Sequence, residues 1–279
     1  MSDDPLVRHA FAAATAVALL ALFHVVKRLR TRPGAANVPE LLVQAGHVAA
    51  VLLLVPGIAR EALTRDSLAS SAAWAVAFGV IGVVLIEVAG ELGIRLLLSA
   101  TLKDQLAAGN VAAGVAASAN YVAIGILAAP AIAGSDLTGL ALSCAFFALA
   151  VLTQTAYVVM FRALTVYDDS EQIRGENLAA ALSYAGVTVA VALVVARALT
   201  GGEFTGWVPA LNGFASVAAS ALALYPVRQL VVQGLVLGRA PSFRGGALDH
   251  AIGVERNTGM AALEAMTYLA TSCALAQLA

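Results

Sequence analysis

The sequence predicts an all-α membrane protein, a polytopic bundle of eight transmembrane helices built from four repeated two-helix hairpins. Three observations predict this fold. The chain of 279 residues is 61% hydrophobic and 12% charged, with a mean hydropathy of +0.88, whereas a soluble domain is about half apolar and a quarter charged. Its apolar residues form stretches of about 20, the length that spans a bilayer. A helical hairpin also recurs along the chain, which indicates a repeat architecture.

The eight predicted spans share a long apolar run with few charged residues. They lie at about 8–29, 41–59, 72–98, 108–132, 137–163, 176–199, 207–236 and 255–277. Taken in pairs they make one membrane domain, residues 1–279, with repeats at about 8–64, 72–134, 137–200 and 207–279. The two cysteines, Cys144 and Cys273, fall inside spans. We expect them to pack as small apolar side chains rather than to form a disulfide.

The second helix of each hairpin begins with a polar residue that is followed by small residues. That residue is Asn110, Asn177 or Asn257 in repeats two to four, and His47 in the weaker first copy. We interpret these four residues as the repeat register and as helix caps, because a polar side chain at a helix start can bond free backbone N–H groups. If the four helix starts converged on one axis, their dipoles would instead attract anions there.

Gly, Ala and Ser recur along these second helices. Small residues let transmembrane helices approach closely, so we expect the second helices to form an inner layer and the bulkier first helices to face lipid. The four hairpins could ring a central axis or pair as two pseudo-dimers, and the sequence leaves both arrangements open.

Basic residues are concentrated on one side of the predicted bundle. The loops and helix ends that join the two helices of each hairpin carry 12 of the 16 Lys and Arg residues. The positive-inside rule therefore predicts a multi-pass membrane protein with cytoplasmic hairpin loops and both termini on the opposite, periplasmic or extracellular side. Asp3 and Asp4 precede the first apolar run, so we do not expect a cleaved signal peptide.

Two segments carry a resemblance to a known family. They read DSEQIRGENLAAALSYAG at residues 169–186 and DHAIGVERNTGMAALEA at residues 249–265. In these segments and their spacing the chain resembles the YjfL-like bacterial inner-membrane family, domain of unknown function 350, with that family's four spans doubled to eight. Asn110, Asn177 and Asn257 match the family asparagine, whereas His47 departs from it.

The resemblance covers most of residues 72–279 and implies an inner-membrane protein of no established activity. Genes of the family often lie beside genes for phage-shock-protein-A-like and glutathionylspermidine-synthase-like proteins. That neighbourhood implies a link to envelope stress.

Charged side chains at membrane depth are costly and usually line an interior or a cavity. Glu87, Glu91 and Arg95 follow one another at intervals of four residues, so they share one face of the third span. The sequence predicts that they belong to an interior polar track. The alternative is a ladder of ion pairs along this helix that neutralises itself.

Positions at equal distances before the register residues extend this track. Counting back 23 residues gives His24, Glu87 and Gln154, and counting back 15 gives Arg32, Arg95 and Arg162. Glu87 and His24 could exchange protons, or the track could coordinate a cation. The arginines could instead extend to lipid headgroups at the cytoplasmic surface.

Glu264 is a further candidate because it is an acid in the last span. The equivalent positions of the other repeats hold no charge. Its two interpretations are a functional acid on the track and a structural pair with a basic residue such as Arg228.

Two classes of function remain open. The sequence shows no metal-binding, nucleophile or phosphate-loop motif, and its net charge of −1 gives no nucleic-acid footprint. We therefore expect neither an enzyme nor a bound cofactor. The first class is an ion or small-solute channel or transporter. The second is a membrane scaffold whose basic loops, above all residues 239–249, recruit a peripheral protein or anionic lipid. A homo-oligomer is compatible with both.

Overall fold

The structure is a computed structural model. It describes residues 5–30, 36–64, 67–98, 102–133, 136–200 and 204–278, without the side chains of residues 26–30. Arg32, predicted to join the polar track, lies outside the described residues. The described segments are helical, without strands, so the predicted all-α class is confirmed.

The helices alternate between long apolar segments and short connecting ones. In order they are α1 (Pro5–Arg30), α2 (Val38–Ala62), α3 (Leu68–Leu98), α4 (Leu102–Ala107), α5 (Val111–Ala131), α6 (Leu137–Ala163), α7 (Asp169–Arg174), α8 (Leu178–Ala198), α9 (Trp207–Ala218), α10 (Leu224–Arg228), α11 (Ala247–Gly253) and α12 (Thr258–Leu278). A 3-10 segment, Ala219–Ala223, joins α9 to α10, and a π-helical segment, Gln229–Val236, continues α10. Residues 207–236 thus form one irregular membrane-length helix.

Seven helical segments of the described chain are long and apolar enough to cross a membrane: Pro5–Val25, Val38–Ala62, Leu68–Leu98, Val111–Ala131, Leu137–Ala163, Leu178–Ala198 and Trp207–Val236. The eighth predicted span is the 21-residue helix α12, which is not among these seven. Its sequence includes Glu264 and Gln277, and polar side chains of this kind lower the mean hydropathy of a helix.

The helices form two layers. The inner layer is a row in chain order, in which α2 packs on α5, α5 on α8, and α8 on α12. The outer helices lie against this row: α3 contacts both α2 and α5, and α6 contacts both α5 and α8. The small-residue helices are therefore inside, as expected from their composition, and their arrangement is a row.

Apolar side chains on the outer layer point away from the protein. On α3 they recur every four residues along one face, as Val76, Val80, Val84, Val88 and Leu92. A continuous exposed apolar face of this kind suits contact with lipid tails. The structure therefore indicates a multi-pass membrane protein whose outer helices contact lipid.

Glycine sets the close spacing of the inner row. A Cβ atom built on Gly46 of α2 would lie 2.6 Å from the Cα of Ser118 on α5, and one on Gly186 of α8 would lie 2.4 Å from the Cα of Ala265 on α12. The backbones of the two helices are in direct contact at these points, so a side chain would force the helices apart. This packing fills the space between neighbouring inner helices.

The inner helices begin at one end of the bundle, which we call the capped end. Asn110 accepts from the backbone N–H of Ala113 (3.0 Å) at the start of α5, and Asn177 accepts from Ala179 (3.0 Å) and Ala180 at the start of α8. Asn257 caps α12 in the same way. These side chains satisfy backbone donors that a helix start leaves free.

The prediction for His47 is wrong with respect to capping. The first inner helix is capped by Asn37, ten residues earlier, whose side chain accepts from the N–H of Glu40 (3.0 Å) while the Glu40 carboxylate accepts from the N–H of Asn37 (3.1 Å). His47 instead lies within α2, where its Nδ1 is 2.8 Å from the carbonyl oxygen of Val43. The small residues after His47 resemble a helix start only in composition, since α2 is already two turns long there.

The capping asparagines also join neighbouring inner helices. The amide of Asn37 donates to the carbonyl of Leu106 (2.6 Å), that of Asn110 to Ile173 (2.8 Å), and that of Asn177 to Ile252 (2.9 Å). Each acceptor lies in the short connecting helix just before the next capping asparagine. Because these bonds run from one cap to the next, they hold the starts of all four inner helices at the same end.

Candidate functional site

A cavity of the described structure opens between α3 and α6 at the capped end. Its volume is about 560 Å³. Gly93 and Leu96 of α3 form one wall, and residues of α6 between Gln154 and Ala163 form the other. The loop and α7 that follow α6 close the rim, together with Arg244 from the long loop before α11.

Side-chain amides and a phenol line the cavity. Gln154, Asn120 and Tyr184 come from α6, α5 and α8 respectively, and all three are buried. Gln154 precedes Arg162 by eight residues on α6, so it lies ~12 Å further from the capped end. Asn120 also donates to the carbonyl of Gly90 on α3 (3.0 Å). The cavity therefore offers hydrogen-bonding groups well inside the bundle.

Arg162 is the centre of a bonded network on the cavity wall. Its guanidinium forms an ion pair with Asp169, with Nε 2.5 Å from Oδ2, and it donates to Ser183 (2.8 Å) and to the Tyr167 hydroxyl (2.9 Å). Arginine's planar fork suits such a set of acceptors. The alternative in which Arg162 extends to lipid headgroups is wrong, because its side chain is only 10% exposed and is bonded within the protein.

Burial affects the ionisation of groups beside Arg162. It raises the pKa of the Asp169 carboxyl, and this effect outweighs the opposing attraction of the Arg162 guanidinium. Burial likewise raises the pKa of the Tyr167 hydroxyl, against the opposing influence of Arg162. Desolvation is thus the larger influence at this rim of the cavity.

A second polar cluster is sealed inside the bundle. Arg228 is fully buried and donates through Nε to Glu264 (2.7 Å) and through Nη2 to Asp249 (2.7 Å). The other oxygen of Asp249 accepts from the backbone N–H of Val166 (3.1 Å). Glu264 is therefore paired with Arg228. Of its two interpretations, this is the structural one.

This cluster leaves two buried polar atoms without a partner in the described structure, Nη1 of Arg228 and Oε2 of Glu264. The π-helical segment after Arg228 also buries Gln229 and Gln233. π-helical turns commonly occur at functional sites, and here the turn lies next to a buried cluster of one cation and two acids.

Glu87 pairs with His47, which was predicted as a register residue. Their Oε1 and Nε2 atoms are 3.2 Å apart, between α3 and α2. The His47 ring also lies against Tyr121 of α5, with ring centroids 3.6 Å apart. His24, the predicted proton partner of Glu87, has an exposed side chain on α1.

Glu91 and Arg95 form an ion pair of 2.5 Å along α3, and both side chains are more than half exposed. The alternative of a three-residue ladder along α3 is therefore reduced to this pair, because Glu87 is paired with His47 of α2. The cavity is lined by Gln154 and Arg162 of the predicted track, and not by His24, Glu87, Glu91, Arg95 or Glu264.

Three residues of these sites were missed from the sequence. Asn37 carries a readable signal, since Asn-Val-Pro-Glu matches a capping box with proline in the first turn. Asp249 carries none, because its role depends on the long loop before α12 folding back onto Arg228. Tyr184 resembles any aromatic residue of a membrane span until the cavity is seen.

Cys144 and Cys273 are both free thiols; Cys144 is half-buried and Cys273 is exposed, so the expected packing inside the bundle does not hold for Cys273. Within the described residues, no group of three or more His, Cys, Asp or Glu side chains is placed to hold a metal ion.

The family model for domain of unknown function 350 matches residues 135–278, which is just over half of the chain. The chain belongs to this family. The match covers α6 to α12, and thus the Arg162 network, the Arg228 cluster and two of the capping asparagines. Searches of the curated proteins and of the solved structures gave no match to the chain.

Proposed function

We propose that the protein moves a small polar solute across the bacterial inner membrane by way of the cavity between α3 and α6. The observation that carries this proposal is the set of buried hydrogen-bonding groups, Gln154, Asn120 and Tyr184, that line a cavity of about 560 Å³. Small-molecule sites are typically clefts of ~300–1,000 Å³ with a few placed polar groups. Polar groups at this depth are costly in a membrane protein unless they are used or paired.

The charges of the lining point to a solute without net charge. Arg162 and Arg244 are matched in number by Asp168 and Asp169, and Arg162 is already bonded to Asp169. A bare cation or anion would therefore meet little net attraction at the rim. A neutral or zwitterionic solute could bond to the amides and the phenol.

The orientation of the protein in the membrane belongs to this proposal. The basic hairpin loops favour a capped end in the cytoplasm, and four hairpins with α12 as an eighth span leave both termini on the other side. The cavity then opens to the cytoplasm. The inner row is packed through glycine contacts, so passage would require the outer helices α3 and α6 to move against it.

A second candidate function is a membrane scaffold that recruits a peripheral protein or anionic lipid, in keeping with a role in envelope stress. The observation that favours it is the pairing of the buried charges, since Arg228 is bonded to both Asp249 and Glu264. Sealed charges of this kind stabilise a fold without conducting. Arg239 and Arg244, in the loop before α11, would then meet the partner.

The experiment is a swelling and flux assay with the full-length protein in liposomes, using glycerol, glycine and potassium chloride as probes. We expect uptake of glycerol or glycine that Gln154→Leu abolishes and that Gln44→Leu, a change outside the cavity, leaves unaltered. Uptake of potassium chloride alone would contradict a solute without net charge. No uptake of any probe, with both variants folded, would contradict transport and favour the scaffold.

A further inference from the structure

The α2–α5 contact and the α8–α12 contact, at the two ends of the inner row, use the same helix faces. This is seen when residue positions are counted from the capping asparagines. Gly46 and Ser118 meet at positions nine and eight after Asn37 and Asn110. Gly186 and Ala265 meet at positions nine and eight after Asn177 and Asn257. The contact of α2 with α5 and that of α8 with α12 are therefore equivalent in register.

Four close contacts define the face that α2 presents to α5 and the face with which α5 receives it. They are Pro39 with Gly114, Gly46 with Ser118, Ala50 with Gly125, and Gly57 with Ala129. On the presenting helix these residues lie 2, 9, 13 and 20 positions after the cap, and on the receiving helix 4, 8, 15 and 19 positions after it. Both ends of the row carry one of these faces unused.

The unused presenting face belongs to α12, and the unused receiving face belongs to α2. All eight residues at the equivalent positions are exposed: Gly259, Met266, Ala270 and Gln277 on α12, and Leu41, Ala45, Leu52 and Pro56 on α2. One end of the row therefore exposes a presenting face, on α12, and the other end exposes a receiving face, on α2.

The two unused faces are complementary in size when they are paired in the register of the internal contact. That register sets Leu41 opposite Gly259, Met266 opposite Ala45, and Leu52 opposite Ala270. Each of these three pairs joins a large side chain to a small one, as the internal contacts join a glycine to a larger residue. The fourth pair sets Gln277 opposite Pro56 and joins two larger side chains. Close packing of this kind is what drives helix association in lipid.

The first outer helix, α1, lacks the second inner helix that α3 and α6 each contact. α3 rests in the groove between α2 and α5, and α6 in the groove between α5 and α8. α1 lies against α2 and α3, and only Thr15 and Leu19 are buried among its described side chains. An inner helix on the free side of α2 would complete the groove for α1.

We propose that a second copy of this chain docks there, with α12 of one copy against α2 of the next, so that the inner row continues from copy to copy. The contact is heterologous, since two different faces meet, and it generates a closed ring or an open array. Asn257, which is exposed at the end of the row, then lies beside the first hairpin of the next copy.

The test is oxidative cross-linking of the full-length protein in liposomes, on a background of Cys144→Ala and Cys273→Ala. The head-to-tail contact predicts covalent dimers and larger products for the double variant Ala45→Cys/Met266→Cys, and none for either single variant. The control Val84→Cys/Leu152→Cys, on exposed faces of α3 and α6, should give none.

Three results would overturn the proposal. Dimers from Met266→Cys alone would show that two α12 faces meet, and dimers from Ala45→Cys alone would show that two α2 faces meet. A monomeric mass for the wild type in lipid nanodiscs, together with no cross-link from the double variant, would show that both faces contact lipid. If the contact forms, Met266→Trp should shift the mass toward the monomer while Val84→Trp should not.

Discussion

The side-chain amide of Asn177 donates a hydrogen bond of 2.9 Å to the carbonyl oxygen of Ile252, 75 residues later in the chain. The same side chain caps α8 through the N–H groups of Ala179 and Ala180. One buried residue thus begins an inner helix and fixes the segment that leads to the next one. Local helix formation and the order of the inner row depend on the same group.

Replacing this asparagine should cost more than replacing an exposed cap. Asn177→Ala removes the cap and leaves the carbonyl of Ile252 and the side chain of Gln172 without their donor. We expect a loss of about 2–4 kcal/mol in the free energy of unfolding. Asn257→Ala removes an exposed cap and should cost about 1 kcal/mol. Equal losses for the two variants, measured by unfolding in mixed micelles, would contradict a linking role for Asn177.

The Arg228 cluster should tolerate the loss of one acid better than the loss of its cation. Arg228→Leu leaves Asp249 and Glu264 buried without a counterion, and we expect it to cost about 3–5 kcal/mol. Glu264→Gln retains a hydrogen-bond acceptor and leaves Arg228 paired with Asp249, so its cost should be less than half of that. The two variants are compared by the same unfolding measurement. A larger cost for Glu264→Gln would mean that Glu264 does more than balance Arg228.

The glycine contacts of the inner row should be intolerant of a single methyl group. In Gly186→Ala the new Cβ would lie 2.4 Å from the Cα of Ala265, and we expect about 1–3 kcal/mol of destabilisation. Gly213→Ala is the matched control, because a Cβ there meets nothing within 4 Å. That variant should be neutral or more stable by up to about 1 kcal/mol. Thermal unfolding of the two proteins in one detergent distinguishes these outcomes.

The raised pKa of Asp169 predicts the pH dependence of stability. A group whose pKa is higher in the folded than in the unfolded state contributes stability below its unfolded pKa, ~3.9 for Asp, and loses that contribution as the pH rises through the folded pKa. The stability of the wild type relative to Asp169→Asn should therefore fall as the pH rises above about 4. A relative stability that rises over this range would show that Arg162 outweighs burial.

The sequence was sufficient for the long helices because each is an apolar run bounded by polar residues, whereas the short connecting helices α4, α7 and α11 were not predicted. It was sufficient for three caps because asparagine at a helix start has a local function. The first cap was placed at His47 because the small residues that follow it resemble those after the asparagines. Asn37 has the stronger chemical signal, a glutamate three residues later, but it lies ten residues before the alignment chosen for the repeats.

The partners of charged groups were harder to predict than their depth. Glu87 meets His47 rather than His24, and Arg162 meets Asp169 from the following connecting helix. These pairs join elements that are adjacent in space but not regularly spaced in the chain. The cavity could not be predicted for the same reason, because it depends on how two outer helices lie in space. α3 and α6 pack mainly on the inner row and leave space between them.

If the cavity opens to the cytoplasm, as proposed above, water and small reagents should reach Gln154 from that side. The measurement is the labelling of Gln154→Cys, on a background of Cys144→Ala and Cys273→Ala, with a membrane-impermeant thiol reagent. We expect labelling in inside-out membrane vesicles and none in intact spheroplasts, while Leu152→Cys, on the exposed face of the same helix, stays unlabelled in both. Labelling of Gln154→Cys from neither side, or only from the outside of spheroplasts, would contradict an opening to the cytoplasm.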